Sequence, residues 1–148
     1  MSLQVRQALS SAFMAGGFGL DIVHQNGIYS VFTGSGYETK KGTYTPTDGR
    51  PYLELNFFDA GTDAAMLKHW DEEIGTLQVL LHYPELQGAI PADSKAKEIT
   101  DLFYIGSTHT YLTQRVQMTS GRTLTEGAPV DGWYKLRLRM PYLAFTPR

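Results

Sequence analysis

Residues 75–105, GTLQVLLHYPELQGAIPADSKAKEITDLFYI, constrain the fold more than any other stretch, because they encode a strand, a turn and a helix whose apolar sides must meet. Leu77, Val79, Leu81 and Tyr83 alternate with Thr76, Gln78, Leu80 and His82, the period-2 pattern of a strand buried mainly on one face. Pro84 ends the run. Past Gly88, the residues Ala92, Ala96, Ile99 and Phe103 fall at i, i+4, i+7 and i+11 with Leu102 beside them, so a helix here carries one apolar stripe. The stripe predicts a helix laid over the strand's apolar face. Nothing in the stretch assembles a catalytic site.

The flanking segments supply further elements. Val5, Ala8, Leu9, Ala12 and Phe13 form a helical stripe, and Gly16-Gly17 stops it where a C-cap belongs. Residues 21–32 hold two short β-prone runs around Asn26-Gly27, a dipeptide suited to a tight hairpin turn. Residues 33–47 are rich in Gly, Ser, Thr, Lys and Tyr and predict an exposed loop or ribbon. Leu53, Leu55 and Phe57 then mark a second strand, opened by Pro51 where a missing N–H does least harm. Residues 59–74, with the run Asp71-Glu72-Glu73, read as a solvated connection. After the central helix, Leu112, Val116 and Met118 stand among Thr113, Arg115, Gln117 and Thr119 as another strand, followed by the polar loop TSGRTLTEGAPVDG. In the last strand Tyr134, Leu136, Leu138 and Met140 face one way and Trp133, Lys135, Arg137 and Arg139 the other, until Pro141 removes a ladder donor. The late strands follow each other without crossover helices. The expected class is α+β, an antiparallel or mixed β-sheet packed against two α-helices in a single domain, 1–148.

A chain of 148 residues is one domain by ordinary size and buries roughly 70% of the surface its unfolded form exposes. The absence of cysteine leaves neither a disulfide framework nor a thiolate metal site. Thirteen basic and fifteen acidic side chains give a net charge of -2, so no overall positive field favours nucleic acid, and no sequence-specific nucleic-acid binding is expected. No apolar run approaches the ~20 residues of a membrane span, and the start MSLQVRQALSSAF is too interrupted for a signal peptide, so no membrane partner is expected. His24, His69, His82 and His109 are scattered without metal-ligand spacing. GGFG at 16–19 and GSG at 34–36 lack the Lys-Ser/Thr of a phosphate loop. Ser107 reads as a surface serine, because Thr108-His109 replaces the small-residue continuation of a nucleophile elbow. The expectation is no catalytic residue, no cofactor and no metal.

The basic row Lys135, Arg137 and Arg139 is the one charge pattern with directional content, since a strand points all three to one side; Arg115 on the preceding strand extends it and Trp133 flanks it. Its bland reading is a solvated sheet face. Its functional reading is an electrostatic contact surface in an assembly, or a weak surface for phosphates.

The run GTLQVLLHYP, then Gly88, a helix ending in DLFYIG, a polar loop and DGWYKLRLRMPYLAF resembles the tail terminator (tail completion) proteins of long-tailed bacteriophages. Gln25-Asn26 closing a short strand and Pro51-Tyr52-Leu53 opening another agree with it, so the resemblance covers nearly the whole chain. It implies a fold similar to that of the phage lambda tail terminator: a sheet flanked by helices, assembled as a ring of six subunits on the end of the tail tube. Such a ring stops tube growth and presents a docking face for the head. The implied partners are copies of the chain itself, the tail tube protein and a head completion or connector protein. The implied location is the virion, with assembly in the bacterial host cytoplasm, and no active site is carried over. In such a ring Asp71, Glu72 and Glu73 of one subunit are candidates to face the basic row of the next. The segment 28–44 departs from the pattern as an insertion. Two other readings stand beside this one: another tail or neck connector component, or a stand-alone ligand-binding module using the basic sheet face.

Overall fold

A computed structural model describes residues 3–16, 18–25, 27–46, 50–64, 70–84, 89–112, 114–119, 123–126 and 132–147. Among the described residues two helices and nine strands follow in the order α1 (Leu3–Ala15), β1 (Asp21–Val23), β2 (Ile28–Phe32), β3 (Tyr37–Lys41), β4 (Tyr52–Ala64), β5 (Trp70–Pro84), α2 (Ala89–Leu102), β6 (Thr108–Tyr111), β7 (Gln114–Met118), β8 (Thr123–Glu126) and β9 (Trp133–Pro147). The strands form one sheet in the order β3-β2-β1-β4-β5-β9-β7-β6, with β8 also paired to β9. Among the described residues only β1 and β4 run parallel and every other pairing is antiparallel, so the sheet is mixed and larger than the pattern predicts.

Both helices lie on the face to which the alternating apolar residues point. Val5, Ala8, Leu9 and Phe13 of α1 are buried against β6 and β7, and Ala92, Ala96 and Ile99 of α2 against β5 and β9. Leu77, Val79 and Leu81 of β5 and Leu136, Leu138 and Met140 of β9 form the floor of the same core, and Phe13 stacks on Phe103 with ring centroids 4.7 Å apart. The two stripes and the central strands are thus where their periodicities place them. The β1–β2 hairpin is present with Gly27 at φ 68°, while Asn26 lies outside the described residues. β3 pairs with β2 along an exposed edge, so that within residues 33–46 the ribbon of the two alternatives is present at Tyr37–Lys41, while Thr47 lies outside the described residues.

Four expectations are corrected. Residues 59–74 are not a solvated connection: β4 and β5 continue as a long hairpin, pairing as far as Ala64 with Asp71. An irregularity between Asp59 and Gly61 shifts the register by one residue, which breaks the period-2 signal although backbone pairing goes on. Leu112 is a turn residue between β6 and β7, at φ 54° and 76% exposed, and β6 itself is a polar strand with no apolar alternation to announce it. The polar loop after Thr119 contains β8, paired from Thr123 opposite Arg139 to Glu126 opposite Leu136. Pro141 does not end β9, which pairs with β5 through Pro147. β8 leaves β9 at Arg139 and β7 joins it at Tyr142, so Pro141 falls in the gap between two partners. Its carbonyl accepts from the Thr119 N–H at 3.1 Å, on the side where its missing donor would point, and no ladder bond is lost.

Gly75 shows how tightly β4, β5 and β9 approach. A Cβ there would meet the Tyr142 hydroxyl and, at 2.8 Å, the Phe58 carbonyl oxygen, and Tyr142 is fully buried. Gly75→Ala is expected to cost about 1–3 kcal/mol through overpacking. Urea denaturation checks this, and an unchanged midpoint would mean that Tyr142 swings aside without cost.

Candidate assembly surface

Alternation along β9 puts Lys135, Arg137 and Arg139 on the face that neither helix covers, all three exposed, while Leu136, Leu138 and Met140 hold the strand to the core. The register places Lys135 beside His82, Arg137 beside Leu80 and Arg139 beside Gln78 on β5, with Thr125 and Thr123 of β8 flanking Arg137 and Arg139. The row therefore lies in the middle of the sheet and not at an edge. Arg115 pairs with Phe145, which puts it on the same face but six positions beyond Arg139, ~20 Å away at ~3.3 Å per residue. It does not extend the row directly.

Trp133 is half-buried and meets Tyr52 edge-on at 5.4 Å and 80°. Tyr52 in turn stacks flat on His82, 4.4 Å and 7°, and touches Tyr44, which touches Tyr29. An aromatic band thus crosses the open face beside Lys135. His82 is 4% exposed, and its Nε2 lies 3.3 Å from Glu54 Oε1. That contact holds the Glu54 carboxyl below its ordinary value, against partial desolvation and with help from the charges of His82 and Lys135. A carboxyl depressed by folding contributes stability above its unfolded pKa near 4.5, and that stability is lost as pH falls through the lower folded value. Glu54→Gln should accordingly flatten the acid limb of the stability curve below a pH of about 4.5 and leave the neutral plateau's slope unchanged. Thermal melts in a pH series test it; an acid limb as steep as that of the wild type would refute it.

The acidic run is placed differently. Glu73 is buried at 5% exposure, opposite Thr62 and Ala144, and so is not offered to a neighbour. The backbones of Asp71 and Glu72 pair with Thr146 and Phe145, six or more positions along β5 from the residues that flank Arg137 and Arg139.

Segment 28–44 is tied down by Asp21, which is 3% exposed. Asp21 accepts from the Phe32 N–H at 2.9 Å, the Tyr44 hydroxyl at 2.7 Å and Arg50 Nη2 at 2.9 Å. Burial and the Asp21 bond raise the Tyr44 phenol well above its usual value. The Tyr37 hydroxyl donates to the Leu20 carbonyl at 2.8 Å. These bonds join the ribbon to β1, an anchorage that its polar composition conceals.

Ser107 is not a surface serine: it is 5% exposed, and its Oγ lies 3.3 Å from His109 Nε2. Burial lowers the pKa of His109, as it does that of His24, disfavouring the charged imidazolium in both. No carboxylate orients His109 among the described residues, and Ser107 exchanges backbone bonds with Tyr104 and Met118 in a tight corner. The pair is a local clasp. Among the described residues no group of three or more His, Cys, Asp or Glu side chains is placed to hold a metal ion.

Clefts open beside these features. One, about 240 Å³, lies between α1 and β1–β3, with the chain His24–Ser30–Thr39 linked at 3.0 and 3.1 Å on its wall. A second, about 310 Å³, lies against Tyr44, Tyr52 and Glu54. A third, about 300 Å³, opens on the uncovered face between Phe58, Thr76, Arg139 and Pro141. Sequence reasoning missed it, although Phe58, following the inward Phe57, is a large apolar residue at an outward position.

A family model described as phage tail terminator protein matches residues 36–142, which takes in the chain from the ribbon through most of β9. A solved structure whose name carries no functional description is similar over 97% of this chain and 96% of its own, at 20% identity and a TM-score of 0.70. At that identity it shows the fold alone. No curated protein matches the chain.

Proposed function

The chain belongs to the phage tail terminator protein family, and from that premise we propose that six copies form a ring that caps the tail tube, ends its polymerisation and presents the surface on which the head docks. Membership gives a structural role in the phage tail and a place in the virion. The observation that carries the finer reading is the family match over residues 36–142 together with an uncovered sheet face bearing Lys135, Arg137 and Arg139. Among the described residues neither Arg137 nor Arg139 has an acidic partner, while Lys135 shares the field of Glu54. Such a face serves an intersubunit or tube contact better than a fold that works alone. The partners are further copies of the chain, the tail tube protein and a head completion or connector protein, met in the host cytoplasm during assembly. The role is non-enzymatic. Among the described residues no helix is long and apolar enough to cross a membrane.

Phage produced without the protein are expected to carry tubes of uncontrolled length and unjoined heads. Purified protein added to such tubes should cap their ends as rings with an open centre in negative-stain images. Tails of normal length in its absence would sink the terminator reading and favour another neck component.

A further inference from the structure

We propose that the corner where α2 runs into β6, carrying Asp101, Tyr104 and Ile105, docks on a second copy of the chain in the cleft between Phe58, Arg139 and Pro141. This rests on the ring reading and names the contact within it.

The cleft has the makings of a receptor. Phe58 is 50% exposed, on the part of β4 beyond its pairing with β1, where among the described residues only β5 is paired with it. Arg139 Nε donates to Gln78 Oε1 at 3.4 Å, and Gln78 is only 6% exposed, so a buried amide aims the guanidinium. Its terminal nitrogens have no acidic partner among the described residues. A cation held beside an exposed ring and a proline fits a carboxylate flanked by apolar groups.

The chain carries such a group on its opposite layer. Tyr104 and Ile105 are 61% and 62% exposed, adjacent, and within one turn of the exposed Asp101, which is in no ion pair among the described residues. Asp101 also stands in the last turn of α2, where no basic residue offsets the negative end of the helix. A guanidinium from a neighbour would satisfy both. Glu98, the nearest other acid, is already paired with Lys95 at 2.8 Å, and Glu73 is buried. Because helix corner and open face belong to opposite layers, the contact is head-to-tail, as a closed ring requires.

The chain has no cysteine, so introduced thiols are unambiguous. Phe58→Cys with Ile105→Cys in one chain should, on oxidation of assembled protein, give a ladder of crosslinked species ending at the full ring, and neither single variant should do so. Arg139→Asp or Asp101→Arg should each raise the concentration needed for assembly by about tenfold. The two together should restore it to within about threefold. Circular dichroism melts run beside each variant, and recovery in the double variant separates a lost contact from a lost fold. Rings of the double-cysteine variant that give no 58–105 ladder on oxidation, or single reversals that assemble normally, would overturn this contact and leave the ring reading standing. A wild-type chain that stays monomeric both alone and on tube ends would overturn both.

Discussion

Phe103→Ala is expected to destabilise the fold by about 3–5 kcal/mol, the range for truncating a fully buried aromatic side chain. Phe103 is 2% exposed, stacks on Phe13 and meets the His109 ring at 4.6 Å, so it is where α1, the end of α2 and the start of β6 come together. Its N–H closes α2 on the Ile99 carbonyl at 3.0 Å, and the backbone there has little freedom to collapse into the space left. Chemical denaturation measures the loss. A second readout follows from His109, whose pKa is lowered by burial: opening its environment should move that pKa back up towards 6.5, as seen by NMR titration. Ile90→Ala, on the outer side of α2 at 79% exposure, serves as the control and should change stability by no more than about 0.5 kcal/mol. Equal effects at the two sites would place the stripe of α2 on the wrong face.

On the proposed ring reading, changing Lys135, Arg137 and Arg139 together to Glu is expected to abolish ring formation and release control of tail length while the monomer stays folded. All three are exposed, and the strand is held by Leu136, Leu138 and Met140 on its other side, so no charge is taken out of water. Glu54, on β4 across the intervening β5, adds repulsion at position 135, a charge term on the order of 0–1 kcal/mol that a cooperative fold absorbs. For an approaching carboxylate surface the reversal turns attraction into repulsion at three points. Light scattering reports assembly, circular dichroism the fold, and electron microscopy of complemented phage the tails. A folded variant that still yields tails of normal length would reduce the row to a solvated face.

Legibility differed between the two halves of the problem. The two amphipathic helices, the β1–β2 hairpin and the strands at 52–57, 75–84 and 133–140 were readable because each buries one side, and burial of one side imposes a period of 3.6 or 2 on the residues. The charged side of β9 was readable for the same reason. β6, β8 and the outer parts of β4, β5 and β9 were not, since Thr108–Tyr111 and Thr123–Glu126 are short, mostly polar runs placed by backbone ladders to β7 and β9. A backbone ladder leaves no signature in side-chain order. Pro141 misled for a related reason: whether its missing donor matters depends on which strand stands on that side of it, and here it falls between the end of β8 and the start of β7.

The chain alone determined, through its apolar spacing, that one sheet face would be closed by two helices and that Lys135, Arg137 and Arg139 would stand on the other. Only the tertiary structure decided which groups accompany that row. Pairing residues far apart in sequence aligned Gln78 behind Arg139, gathered Phe58 and Pro141 around it, buried Glu73 and set Arg115 at a distance. Side-chain pattern acts locally along one strand or helix, whereas neighbours across a sheet follow from register, and register is a property of the assembled ladder.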